Sequence, residues 1–68
     1  MIGYKFSRRK MEKVIQLLDE WGVSWWDGWN LGEIEVEGMD RDRLLDASEM
    51  AESDLAMEDM EYLKKARP

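Results

Sequence analysis

The chain predicts an α+β fold, a small single domain over residues 1–68 with elements in the order β-α-β-β-α and a three-stranded sheet packed by two or three helices. Two stretches, Ile2–Phe6 and Glu33–Glu37, alternate between core-type and solvent-type residues with the period of two that marks a half-buried strand. The apolar residues of 11–21 and of the C-terminal third recur instead at helical spacing. A chain of 68 residues and 8.1 kDa has room for one sheet and one helical layer.

Ile2, Tyr4 and Phe6 share one face of the first strand, with Gly3 and Lys5 between them. Ser7 is a good N-cap for a helix from about Arg8 to Trp21, whose apolar stripe is Met11, Val14, Ile15, Leu18 and Trp21, and Gly22 stops it. Val23–Trp26 is β-prone and pairs as a hairpin with Glu33–Glu37. The turn is either Asp27-Gly28 or Asn30-Leu31-Gly32. From Met39 onward Ala, Leu, Met and Glu dominate, all good helix formers. Asp46-Ala47-Ser48-Glu49 resembles a capping box and Ser53 is a further N-cap, so the region is either one long helix or a short helix followed by a second one from Asp54 to Ala66, and these caps favour the break. Ala56, Met57, Met60 and Leu63 are the expected stripe that packs this region on the sheet or on the first helix.

Composition narrows function by exclusion. The chain has no Cys, no His and no Thr, so thiol nucleophiles, imidazole acid–base pairs, Ser-His triads and the usual zinc sites are all missing. Counting from Asp27, Gly32 and Ile34 fall where a calcium loop wants them. Trp29, Leu31 and Gly38, however, stand where it needs oxygen ligands. No phosphate-binding glycine loop or nucleophile elbow occurs, and Ser7, Ser24, Ser48 and Ser53 suit caps and turns. A cleft wide enough for paired-carboxylate chemistry on a sugar is hard to build from so few residues. The expectation is a protein with no catalytic residues, no metal site and no cofactor. No stretch is apolar enough to span a membrane and the N-terminus has no signal-like pattern, so the expected location is the cytoplasm, where a small domain without disulfides is ordinary.

What remains is surface chemistry. Sixteen acids against ten bases give a net charge of −6, and the charge is segregated. Residues 1–13 carry Lys5, Arg8, Arg9, Lys10 and Lys13 against Glu12, whereas residues 33–61 carry twelve acids against Arg41 and Arg43. With Ile34 and Val36 facing the core, Glu33, Glu35 and Glu37 project from the opposite face about 6–7 Å apart. Asp54, Glu58 and Glu61 share a helix face at i, i+4, i+7. Such a surface is solubilising, and its rows of carboxylates also imitate the phosphates of a nucleic-acid strand. Direct nucleic-acid binding is disfavoured by the same field.

All four tryptophans, Trp21, Trp25, Trp26 and Trp29, lie within nine positions. Large aromatics build small cores, but neighbours on a strand point to opposite faces, so helices on one side cover only one of Trp25 and Trp26. The other needs a partner: a second copy of the chain, a helix wrapping the far face, or a target protein. Met50, Met57 and Met60 are helix-packing residues first and an adaptable contact surface second.

In composition the chain resembles small phage-encoded inhibitors such as anti-CRISPR and DNA-mimic proteins, a resemblance that implies no fold and no site residue. The expected function is a stoichiometric inhibitor that occupies the basic nucleic-acid channel of a host effector. Glu33, Glu35, Glu37, Asp54, Glu58 and Glu61 would provide charge complementarity, and Trp25, Trp26 or Trp29 the apolar anchor. The competing expectations are a homo-oligomeric accessory protein, at its simplest a homodimer, and an antitoxin-like partner of a basic toxin.

Overall fold

The structure is a computed structural model that describes residues 1–28 and 31–66. The elements are β1 (Ile2–Lys5), α1 (Arg8–Glu20), β2 (Trp25–Asp27), β3 (Glu33–Val36) and α2 (Arg41–Ala66), the last entered through a 3-10 turn at Gly38–Asp40. They form a small α+β domain in the expected order. β3 lies between β1 and β2 and pairs antiparallel with both. In register, Ile2, Val36 and Trp25 share one row, and Gly3, Glu35 and Trp26 share the next.

The ends of α1 have clear local causes. The Ser7 hydroxyl accepts from the Lys10 backbone N–H, capping the first turn. At the other end Gly22 takes a φ of 70°, and the Gly22 and Val23 N–H groups donate back to the Asp19 and Leu18 carbonyls. This Schellman closure brings Val23 into the core beside Leu18. It also explains why β2 starts at Trp25 rather than at the expected Val23: the Val23 N–H is already committed to the helix end at 2.9 Å. After β2 the Gly28 N–H donates to the Glu33 carbonyl, and Gly32 at φ 84° lets its carbonyl accept from the Phe6 N–H at 2.9 Å. A Cβ at Gly32 would lie 2.6 Å from the Phe6 oxygen, so this position needs glycine for both reasons.

The core is small: Val14, Leu18, Val23, Ile34, Val36, Leu44, Ala47 and Ala51 are buried, and Tyr4, Phe6, Met11, Ile15, Leu17, Trp21 and Trp25 pack around them. Both helices cover the same face of the sheet, the one that carries Ile34 and Val36.

Two expectations about the C-terminal region are corrected. It is one helix of 26 residues, with no break at Ser53. Between Arg41 and Ala66 there is no Gly or Pro, and a serine with helix formers on both sides does not have to cap anything. The packing stripe is Leu44, Ala47 and Ala51, continued by half-buried Ser48 and Leu55, and not Ala56, Met57, Met60 and Leu63, which are exposed. Met60 follows Ala51 by nine residues, two and a half turns at 3.6 per turn, which puts it on the opposite side of the helix. At about 1.5 Å per residue α2 is about 39 Å long, which accounts for most of the molecule's 48 Å long axis.

The two stripes are separable by mutation. Leu44→Ala is expected to lower unfolding stability by about 2–5 kcal/mol, and Leu63→Ala by less than about 0.5 kcal/mol, in urea titrations followed by far-UV circular dichroism. Equal losses would mean that α2 packs through the other face.

Candidate functional site

β-strand alternation puts Met1, Gly3 and Lys5, Trp26, and Glu33, Glu35 and Glu37 on the face of the sheet that no helix covers. Trp26 is 43% exposed there, and Met1, Trp26, Asp27, Glu35 and Glu37 line a wide, open depression. Cross-strand neighbours at Glu35 are Gly3 on one side and Trp26 on the other. A Cβ on Gly3 would crowd the Glu33 and Glu35 side chains at 3.0 Å, and one on Gly28 would collide with Glu33. The two glycines therefore let the Glu33 side chain lie down over the sheet, whereas Glu35 and Glu37 line the depression beside the indole.

The tryptophans divide by role. Trp25 points to the core face and its indole N–H donates to Asp19 Oδ1 at 2.8 Å, so its polar edge is satisfied within the chain. Trp21 also packs against the core. Trp26 is the one that faces solvent, and Trp29 lies outside the described residues.

The helical carboxylates are a separate set on the other layer of the molecule, so the two expected acidic rows do not join into one. Glu58 is exposed but tied to α1: its Oε1 accepts from Lys13 Nζ at 2.7 Å and its Oε2 from Arg9 Nη2 at 3.2 Å. Arg9 Nη1 also donates to Asp59 Oδ1 at 2.9 Å, and Lys10 Nζ lies 3.5 Å from Glu52 Oε2. Lys10 is also 5.7 Å from the centroid of the Phe6 ring. The hydrogen bond from Lys13, helped by Arg9, holds the Glu58 carboxyl below the usual carboxylate range, and Asp59 above all raises the Arg9 guanidinium. The basic segment of residues 8–13 is thus spent largely on α2. Asp54 and Glu61 are exposed and make no ion pair among the described residues.

Sequence reasoning found the sheet-face glutamates and one exposed tryptophan but missed Met1 in the depression and the Arg9–Lys10–Lys13 clasp. Both had a signal: Met1 continues the outward register of Gly3 and Lys5, and three cations at i, i+1, i+4 faced an acidic helix of opposite charge. Among the described residues no group of three or more acids converges closely enough to hold a metal ion.

Compared with known proteins, the chain matches no protein-family model, no curated protein and no solved structure.

The clasp is testable through pH. Because the folded-state pKa of Glu58 is depressed, its pairing stabilises the fold above the carboxylate range, and the contribution disappears as pH falls through that depressed value. Glu58→Gln is expected to melt at a lower temperature than the parent at neutral pH and low salt. The difference should close at acid pH and shrink in high salt. A difference independent of both would mean that the pairing contributes nothing electrostatic.

Proposed function

We propose that the protein is a non-enzymatic, protein-binding inhibitor whose uncovered sheet face docks on a cationic surface of its target, a surface that otherwise holds nucleic acid. The single observation that carries this reading is the arrangement around Trp26: an exposed indole, the residue type most enriched in binding hot spots, set among Glu35, Glu37 and Asp27 in an open depression. An aromatic anchor with anionic surroundings suits a partner that presents an apolar notch among arginines and lysines. The clasp between α1 and α2 supports the reading indirectly. It occupies Arg9, Lys10 and Lys13 within the chain, so they do not offset the acids of the opposite face. On this reading the protein acts in the cytoplasm of the cell that holds the target, as the small phage-encoded inhibitors it resembles in composition do.

The partner is found by affinity capture from nuclease-treated lysate and then tested alone. The expected outcome is a basic nucleic-acid-binding protein whose complex weakens steeply with salt and whose nucleic acid is displaced by one equivalent of the chain. Glu35→Lys with Glu37→Lys, and separately Trp26→Ala, are each expected to weaken binding by about tenfold or more, about 1.4 kcal/mol, while leaving the melting temperature nearly unchanged. Simultaneous binding of chain and nucleic acid, or unchanged affinity in the charge-reversed variant, would overturn the proposal.

A further inference from the structure

From Glu49 onward α2 carries an apolar seam that the fold does not use. Glu49, Ser53, Ala56, Met60 and Leu63 follow one another at alternating steps of four and three, and Met50, Met57 and Lys64 run beside them at the same spacing. Met57, Met60 and Leu63 are between 60% and 63% exposed and Met50 is 48% exposed. None of these four belongs to the core or packs against it. The seam points away from Leu44, Ala47 and Ala51, so the rest of the chain does not stand in front of it.

Charge and size together select the occupant. Charge changes sign along the seam, which begins at Glu49 and ends at Lys64, both exposed and without an ion pair among the described residues. Over residues 54–65 the unpaired charges balance, Asp54 and Glu61 against Lys64 and Lys65. A uniformly cationic helix would therefore meet Lys64 and Lys65, and a uniformly anionic one Glu49. A second copy running antiparallel sets the acidic start of each seam against the basic end of the other, whereas parallel copies set like on like. Pairing Glu49 with Lys64 of the second copy fixes the register. The same register puts Met50 opposite Leu63, Ser53 opposite Met60 and Ala56 opposite Met57, so in the middle of the seam each small side chain meets a large, flexible one. Asp54, Glu61 and Lys65 lie more than a quarter turn from the middle of the seam and stay in water.

We infer that α2 pairs antiparallel with α2 of a second copy through this seam, forming a homodimer with apolar contacts at its centre and a Glu49–Lys64 ion pair at each end. The sixteen residues from Glu49 to Lys64 make a seam of about 24 Å. That is short beside an obligate interface and suits a dissociation constant of about 1–100 μM. Trp26 lies on the side of the sheet that no helix covers, so each copy keeps that face open, and the inference is independent of the role proposed for it.

Sedimentation equilibrium of the whole chain between about 1 μM and 1 mM, a range that brackets this constant, is expected to show the mass rising from 8.1 kDa toward twice that value. Met57→Gln with Met60→Gln raises the midpoint concentration about tenfold or more and leaves the far-UV circular dichroism of the monomer unchanged. Glu49→Lys and Lys64→Glu each weaken the dimer about threefold or more at low salt, since both ends change from attraction to repulsion. The two substitutions in one chain restore it. The chain has no cysteine, so an introduced one reports the pairing without background. Ala56→Cys stands beside its counterpart at the twofold axis and oxidises to a linked dimer, whereas Leu63→Cys, about 20 Å from its own counterpart, does not. A monomer at every concentration, equal cross-linking of the two cysteine variants, a charge swap that fails to restore association, or a dimer dissolved by Trp26→Ala and not by the methionine substitutions would overturn the inference.

Discussion

The alternation of β3 divides the molecule. As the central strand of three it is hydrogen-bonded on both edges, so its four residues have only two directions for their side chains. Ile34 and Val36 point one way and are fully buried; Glu33 and Glu35 point the other way and meet no helix. The same choice orients the neighbours, because Trp25 must follow Val36 into the core and Trp26 must follow Glu35 out of it. A slip of one residue would bury two glutamates and expose the apolar pair, an error large enough to make the register unambiguous. The core and the candidate binding face are thus two sides of one constraint.

Most of the fold was legible because its signals are local. Ser7 and Gly22 bracket α1, the alternation of 33–36 is strict, and the composition after residue 39 is helical. What was misread in α2 depends on tertiary contact. Its buried stripe consists of Leu44, Ala47 and Ala51, two of them alanines, so the more hydrophobic Met57, Met60 and Leu63 look like the better core. Packing helix on helix rewards small side chains at the crossing, where Val14 and Leu18 of α1 already fill the space. Hydrophobicity ranked the candidates in the wrong order because it takes no account of the room available. The start of β2 failed for a similar reason: Val23 is β-prone, but the cap of α1 has a prior claim on its N–H.

The candidate site was half legible. Period two placed Glu33, Glu35 and Glu37 correctly and required that one of two adjacent tryptophans face outward, without saying which, since that depends on the pairing of β2 with β3. The spacing of Arg9, Lys10 and Lys13 marks a cationic helix face, but it does not say that Glu58, forty-five positions from Lys13 and forty-nine from Arg9, is the acid they consume. A cluster of acids in a sequence is a recognition surface only after the fold has taken its share. Here the fold takes Glu52, Glu58 and Asp59 and leaves Asp54, Glu61, Glu35 and Glu37.

That division has a consequence for how charge is distributed. In a chain of net charge −6, the basic segment could have lain anywhere, yet it is placed against the helix half that has little hydrophobic contact of its own. Beyond Leu55, α2 keeps no buried apolar residue among the described ones, and its ion pairs to α1 there come from Arg9 and Lys13, with Lys10 engaging Glu52 one turn earlier. Exposed ion pairs of this kind are individually weak, but three cations engaging three acids hold the helix between Glu52 and Asp59 without using its apolar side chains. Apolar packing there would have turned Met57, Met60 and Leu63 inward against α1. Electrostatic attachment leaves them facing solvent. The clasp therefore does two things with one set of contacts: it ties α2 to α1 beyond the core, and it leaves the apolar side chains of Met57, Met60 and Leu63 facing solvent.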